Sequence, residues 1–123
     1  MSYKINWEEN GVLVNFYNSL SAEDVLKVNM VLYGDSHFDN LKYQISDFTQ
    51  AEFSNAEPID VRKIAALDAS AARWNNEIKI VLINVDERIQ KFIEMYEDLM
   101  KSTKWVIRTF SNIDQAREWL NSY

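Results

Sequence analysis

The stretch Ile78-Lys79-Ile80-Val81-Leu82-Ile83-Asn84, followed at once by Asp86 and a long amphipathic segment, decides the fold of this chain. Its unbroken apolar run is typical of a strand that is buried on both faces. The segment after it predicts a helix from Asp86 to about Ser102, with apolar residues at i, i+3, i+4 and i+7 spacing. These residues are Ile89, Phe92, Ile93, Tyr96, Leu99 and Met100. Residues 104–110 predict a further strand, and the segment after them predicts a further helix with Ser111 as its expected N-cap. This repeated order of strand and helix predicts a layered α/β domain with parallel strands.

The N-terminal part of the chain predicts a β-hairpin and a helix. Residues 3–8 and 11–17 alternate apolar and polar side chains, and Asn10-Gly11 between them favours a tight type I′ turn. Ser21 is the expected N-cap of the first helix, with Asp24 three positions further on, and Gly34 is expected to end it.

The middle of the chain predicts one more strand and one more helix. The strand is Tyr43–Phe48, the loop after it runs from Thr49 to Glu57, and Pro58 suits the entry of a helix from about Ile59 to Trp74. The broad apolar face of that helix contains Val61, Ile64, Ala65, Leu67, Ala71 and Trp74. The sequence therefore predicts the element order β-β-α-β-α-β-α-β-α, with a mixed sheet packed against helices in a single domain, residues 1–123.

Composition excludes several classes of protein. The chain has 123 residues, no cysteine and a formal net charge of −6. Its basic residues are scattered, with Arg62-Lys63 as the only adjacent pair, so nucleic acid is not an expected partner. No apolar run approaches the roughly 20 residues that a membrane span needs, and no apolar signal core follows Met1. We expect a cytoplasmic protein, in keeping with the lack of cysteine.

The element order, together with particular residues, resembles the STAS fold of bacterial anti-sigma-factor antagonists. The most similar part is the last third, with Ile80-Val81-Leu82-Ile83, then Trp105-Val106-Ile107-Arg108-Thr109-Phe110, and then Ala116-Arg117-Glu118-Trp119-Leu120. More narrowly, the chain resembles the SpoIIAA-like family of small bacterial proteins. That resemblance implies the STAS fold and a non-catalytic regulatory or binding module, which acts through a protein partner or a small ligand.

One departure from the resembled family concerns phosphorylation. STAS antagonists carry Asp-Ser-Ser/Thr-Gly after the third strand, with a serine that is phosphorylated at the start of the second helix. The corresponding stretch here, residues 49–58, lacks that tetrapeptide and carries the acidic residues Glu52 and Glu57. Carboxylates beside Thr49 or Ser54 would repel a phosphate by more than a helix N-terminus attracts it. We therefore expect that this loop is not a phospho-switch.

Polar residues near the carboxyl ends of the predicted strands form the candidate binding site, because ligands of open α/β sheets bind at that edge. They are Asp47, Thr49, Ser54, Asp60, Asn84 and Asp86. The alternative hypothesis is a small enzyme that uses the carboxylates of this edge, which would require at least two of Asp47, Glu52, Asp60 and Asp86 to converge in a buried cleft.

Other patterns give weaker hypotheses. Asp35, His37 and Asp39 have a spacing compatible with a divalent metal, but no second histidine supports them, and no metal is expected. Neither glycine lies in a strand-to-helix turn, so no cofactor is expected. The aromatic side chains are expected mostly in the core, with an apolar pocket as the other interpretation. A homodimer is a further hypothesis, with Tyr3, Trp7 and Trp119 as its exposed aromatic residues.

Overall fold

The protein is a five-stranded mixed sheet with four α-helices, in a computed structural model that describes residues 2–53 and 55–122. The strands are β1 (Tyr3–Trp7), β2 (Gly11–Leu20), β3 (Tyr43–Phe53), β4 (Lys79–Ile83) and β5 (Val106–Phe110). The helices are α1 (Ala22–Tyr33), α2 (Pro58–Trp74), α3 (Glu87–Leu99) and α4 (Ile113–Asn121), with a short 3₁₀ helix at Ser36–Asn40. The predicted α/β class and element order are confirmed.

The sheet has the strand order β1-β2-β3-β4-β5, in which β1 pairs antiparallel with β2 and all other neighbours are parallel. The larger core lies between one face of the sheet and the helices α1, α2 and α3. The smaller core lies on the other face, where Ala116 of α4 packs on Ile45, Val81 and Ile83. Because successive residues of a strand point to opposite faces, Gln44, Ser46 and Phe48 face the three-helix layer.

The strand β3 is longer than the sequence predicted. It continues through residues 49–53, which were expected to be a loop, because β2 also continues to Leu20 and offers it a partner. The register shifts between Asn15 and Tyr17, after which residues 17–20 pair with residues 50–53. At this bulge β2 advances by two residues while β3 advances by three, and alternation in the sequence gave no sign of it.

The hairpin turn differs from the predicted type I′ turn. Neither Asn10 nor Gly11 has a positive φ, which that turn requires at both central residues. Gly11 is instead needed for space, because a Cβ at this position would overlap ring atoms of Tyr43. The Tyr43 hydroxyl donates to Glu8, which also forms a bidentate ion pair with Arg117 at 2.5 and 2.6 Å. This pair fastens α4 to the hairpin.

The helix ends agree with the sequence in most places. The capping box of Ser21 and Asp24 is present, Gly34 is the C-cap of α1, and Pro58 opens α2. The N-cap of α4 is Asn112 rather than Ser111, because the Asn112 side chain accepts the backbone N–H of Gln115. No helix in the described ranges is long and apolar enough to cross a membrane.

The buried faces of α2 and α3 depart from the apolar pattern at a few positions. Trp74 was expected in the core but is 79% exposed, and its Nε1 donates to Asp39 at 2.8 Å. Leu99 is also exposed, since it lies at the last position of α3. Asp68, in contrast, is buried in the centre of the α2 face.

Candidate functional site: a cavity beneath three helices

A cavity of about 100 Å³ lies between the helices α1, α2 and α3 and the central strands β3 and β4. Its walls are mostly apolar. The lining includes Val25 of α1, Val61 and Ile64 of α2, Ile89, Phe92 and Ile93 of α3, and Phe48, Phe53, Ile80 and Leu82 of the strands. Small and polar side chains complete it, namely Ala22, Asn29, Gln44, Ser46, Ala56, Asp60, Asp68 and Tyr96.

The topology determines which end of the cavity lies at the carboxyl edge of the sheet. Each of the three helices follows a strand directly, so its first turn lies at the carboxyl edge of the sheet. The partly exposed residues Phe53, Ala56 and Asp60 are at this edge and form the mouth. Asp68 lies two turns further along α2, and Gln44 lies near the start of β3, so the opposite end of the cavity is polar. We call this end the floor, formed by Asn29, Gln44, Asp68 and Tyr96.

Asp68 is the centre of the floor and is only 3% exposed. Its carboxylate accepts hydrogen bonds from the hydroxyls of Tyr33 and Tyr96, both at 2.6 Å, and from the side-chain amide of Asn29 at 3.1 Å. Burial raises the pKa of Asp68 to about 6, against the lowering effect of these three donors. The same burial, together with the nearby carboxylate, raises the pKa values of Tyr33 and Tyr96 well above their ordinary range.

Gln44 is the second polar residue of the floor and is also 3% exposed. Its side-chain oxygen is buried and has no hydrogen-bond partner among the described residues, the one such side-chain atom found there. Buried polar atoms in native proteins are nearly always paired, so this oxygen marks a place where the protein offers an acceptor without using it.

Three of the six predicted site residues lie around the mouth and the start of α3. Asp60 lines the cavity, and its carboxylate accepts the backbone N–H of Glu57 at 2.9 Å. The Asn84 amide donates to the Asp86 carbonyl oxygen at 2.9 Å, which shapes the turn between β4 and α3. Asp86 is the N-cap of α3 and contacts Arg88, whose hydrogen bonds lower the pKa of the Asp86 carboxyl.

The other three predicted residues do not join the cavity. Asp47 alternates with Ser46 and Phe48, so it lies on the opposite face of the sheet and not at the end of a strand. Its carboxylate accepts the Thr49 hydroxyl at 2.7 Å and the Thr49 N–H at 2.9 Å. Thr49 itself lies within β3 and not in the predicted loop. Ser54 is outside the described residues.

The hypothetical metal residues are held by other contacts. Asp35 caps the 3₁₀ helix and lies 2.6 Å from Nδ1 of His37, whereas Asp39 accepts from Trp74. No group of three His, Cys, Asp or Glu side chains within residues 2–53 and 55–122 is placed to hold a metal ion.

The aromatic residues proposed for a dimer are partly buried within the chain. Tyr3 and Trp7 pack against the larger core, and Trp7 stacks on His37 with ring centroids 4.7 Å apart. Trp119 packs against the smaller core. The exposed aromatic surface that motivated the dimer hypothesis is therefore smaller than expected.

Comparison with solved structures identifies the architecture. The unphosphorylated anti-sigma factor antagonist SpoIIAA superposes with a TM-score of 0.66 at 8% identity, over 98% of this chain and 99% of that one. The chain has the SpoIIAA fold. The phosphorylated Bacillus SpoIIAA gives a TM-score of 0.59 at 11% identity, over 96% and 98% of the two chains. An uncharacterized DUF3478-family protein with a SpoIIAA-like fold from Shewanella loihica gives 0.58 at 15% identity, over 96% and 91%. No protein-family model and no curated protein matches the sequence.

Within this SpoIIAA fold, the polar floor is the part of the site that sequence analysis missed. Asp68 stands on the apolar face of α2, seven positions after Val61 and three before Ala71, which is the signal for a buried acid. Gln44 likewise precedes the apolar Ile45 at the start of a buried strand.

Proposed function

We propose that this protein is a non-catalytic binding module that holds a small, largely apolar ligand in the cavity beneath α1, α2 and α3. The observation that carries the proposal is the unpartnered side-chain oxygen of Gln44 inside that cavity. A buried polar atom without a partner costs about 1–3 kcal/mol of stability. A ligand that donates to it would recover this cost on binding.

The volume of the cavity limits the size of the ligand. A dry apolar cavity of roughly 150 Å³ is large enough for benzene. The cavity here, at about 100 Å³, suits a small ring or a short branched chain. Larger ligands would have to extend through the mouth at Phe53 and Ala56, which are partly exposed.

The positions of the edge carboxylates favour binding over catalysis. Asp47 lies on the other face of the sheet from Asp60, and Asp86 is occupied as the N-cap of α3. Glu52 and Asp86 border one surface groove, but Glu52 is exposed, so this pair does not lie in a buried cleft. The convergence in a buried cleft that an enzyme of the predicted kind requires is thus not seen among these residues. Asp68 is buried, but three donors hold its carboxylate.

A fragment screen followed by ¹H–¹⁵N NMR tests the proposed function. We expect small apolar fragments with one polar group to shift the side-chain amide signals of Asn29 and Gln44. Ile64→Trp, which fills the cavity, should abolish these shifts. Ile113→Trp is the matched control, since Ile113 is also half-buried but packs on the opposite face of the sheet.

The outcome that contradicts the proposal is equally specific. Shifts confined to the surface, or fragment binding that survives Ile64→Trp in a folded variant, would show that the cavity is not the binding site. Circular dichroism of both variants establishes that they fold, because overpacking costs about 1–3 kcal/mol.

Several finer points of the proposal rest on the sequence. Residues 1–123 form a single domain that works in the cytoplasm and associates as a homodimer. The domain also binds a protein partner, and occupation of the cavity by the ligand changes that interaction. Sedimentation that shows only a 14.5 kDa species at tens of micromolar would remove the homodimer. Pull-down from the native cell with the ligand present and absent tests for the protein partner.

The proposed module is not switched by phosphate on Thr49 or Ser54. The Thr49 hydroxyl donates to the Asp47 carboxylate, so a phosphate on Thr49 would lie beside a negative charge. Ser54 is flanked in the sequence by Glu52 and Glu57. We predict that protein purified from its own host carries no phosphate on Thr49 or Ser54. Mass spectrometry that finds substantial phosphate on either residue would reinstate the phospho-switch.

A further inference from the structure

The charged residues that line the cavity all have one sign. Among the lining side chains that the structure describes, the ionisable ones are Asp60 at the mouth, Asp68 at the floor and the phenol of Tyr96. No lysine, arginine or histidine of the described residues lines the cavity or bonds to Asp68. A buried carboxylate without a cationic partner is unusual, because burial of an unpaired charge is costly.

The floor of the cavity offers an unused acceptor, the Gln44 oxygen, together with the buried negative charge of Asp68. An ionised carboxylate offers about four lone-pair sites. Asp68 accepts four hydrogen bonds from three side chains, one each from Tyr33 and Tyr96 and two from Asn29, so these sites are filled while its charge has no cationic partner. The Gln44 oxygen in the same cavity is the acceptor that remains unused. The floor thus lacks a positive charge and a donor for the Gln44 oxygen, and a ligand that supplies both would complement it.

We propose that the ligand is a small protonated amine with an apolar body, whose ammonium group binds Asp68 and Gln44 at the floor of the cavity. This inference rests on the proposed function, which it narrows to one class of ligand. An ammonium group has three N–H donors and one positive charge, so it can donate to the Gln44 oxygen and also neutralise the charge of Asp68. The apolar body then lies along Ile64, Ile80 and Leu82 toward the mouth.

The aromatic lining is suited to the same ligand. Phe48, Phe53, Phe92 and Tyr96 present rings around the cavity. The face of an aromatic ring attracts a cation, and it does so more strongly where water is excluded. An anionic ligand, in contrast, would meet Asp60 at the mouth and Asp68 at the floor, together with the net charge of −6 on the whole chain.

A matched set of three probes tests the charge of the ligand: 3-methylbutylamine, 3-methylbutan-1-ol and 3-methylbutanoate. They share one branched apolar body of a size that fits the cavity and differ in the charge of the head group. We expect the amine to bind at least about tenfold more tightly than the alcohol, and the carboxylate not to bind, in calorimetric titrations at pH 7.5. The amine should shift the side-chain amide signals of Asn29 and Gln44 in ¹H–¹⁵N NMR spectra.

Two substitutions locate the ammonium group. Asp68→Asn should weaken amine binding about 10- to 100-fold and leave binding of the alcohol within about threefold. Gln44→Met removes the unpaired oxygen, so it should stabilise the free protein and still weaken amine binding. Asp114→Asn is the matched control, because Asp114 is an exposed aspartate of α4 on the other face of the sheet.

The pH dependence gives an independent readout. Affinity for the amine should fall from pH 7.5 to pH 5 as Asp68 takes up a proton, whereas Tyr33 from α1 and Tyr96 from α3 stay protonated throughout. Asp60 at the mouth is the other acid that faces the cavity, and Asp60→Asn should leave this pH profile in place.

The results that overturn the inference differ from those that overturn the proposed function. If the alcohol shifts the cavity signals as strongly as the amine, or if Asp68→Asn in a folded protein binds the amine as well as the original does, the ligand is not a cation and the cavity remains a binding site. If no probe shifts the cavity signals, the amine inference falls. The fragment screen with Ile64→Trp then decides separately on the cavity itself.

Discussion

Replacement of the buried carboxylate by an amide, Asp68→Asn, should remove a pH dependence of stability that is opposite in sign to that of most acids. The pKa of Asp68 is about 6 in the folded protein, against an ordinary value of 3.8. Between these values the folded state binds more protons than the unfolded state, so the free energy of unfolding falls as the pH rises. The full effect is about 3 kcal/mol, from 1.36 kcal/mol for each of about 2.2 pKa units.

Other acids with shifted pKa values also change the stability at the acidic end of this pH range. Glu8 and Glu77 have pKa values lowered from 4.5, and Asp35 and Asp86 have pKa values lowered from 3.8. Their contributions to stability are present above these ordinary values and are lost as the pH falls through the lowered, folded-state pKa values. From pH 4.5 to pH 7 the contribution of Asp68 alone should decline by about 2 kcal/mol.

Urea denaturation of the original protein and of Asp68→Asn, at half-unit steps from pH 4.5 to pH 7, measures this decline. The difference in unfolding free energy between the two proteins should change by about 2 kcal/mol over the range, in favour of the variant at high pH. The amide can still accept from one tyrosine and donate to the other, so the variant should fold. A difference that stays constant within about 0.5 kcal/mol would refute the raised pKa and the reasoning built on it.

Two further substitutions test the contacts that fix the hairpin. Arg117→Ala breaks the partly buried ion pair of α4 with the hairpin turn and should lower the unfolding free energy by about 1 kcal/mol in urea denaturation, whereas Arg88→Ala, whose ion pair is exposed, should change nothing measurable. An equal loss in both variants would contradict this ranking. Gly11→Ala should lower the melting temperature because its methyl group overlaps the ring of Tyr43, at a cost of about 1–3 kcal/mol, and Gly34→Ala, with more space and a negative φ, should be nearly neutral. A stable Gly11→Ala protein would show that the ring moves away easily.

Local patterns in the sequence were sufficient for the architecture. The apolar run at 78–83 predicted β4, the spacing of Ile89 and Ile93 predicted α3, and Ser21 with Asp24 predicted the start of α1. Each of these features is set by residues that are close to each other in the sequence. The parallel sheet then followed from their alternation along the chain.

What could not be predicted depends on partners distant in sequence. The length of β3 is set by β2, more than 20 residues earlier, and the need for a glycine at position 11 is set by the ring of Tyr43. Asp68 is tolerated in the core because Tyr33 and Tyr96 come to it from two other helices. The predicted candidate residues followed the rule for the edge of the sheet, which found Asp60 at the mouth but not the polar floor beneath it.

The strand order β1 to β5 across the sheet is also the order in which a ribosome makes the strands. Each strand from β2 onward can therefore pair with the strand synthesised just before it. No strand depends on a partner from the far end of the chain. The cavity is completed later than β1 to β4, because one of its walls and the hydroxyl of Tyr96 come from α3. A nascent chain that has emerged only as far as β4 would expose the Asp68 carboxylate to water, so the floor of the site is completed late in translation, after most of the sheet is in place.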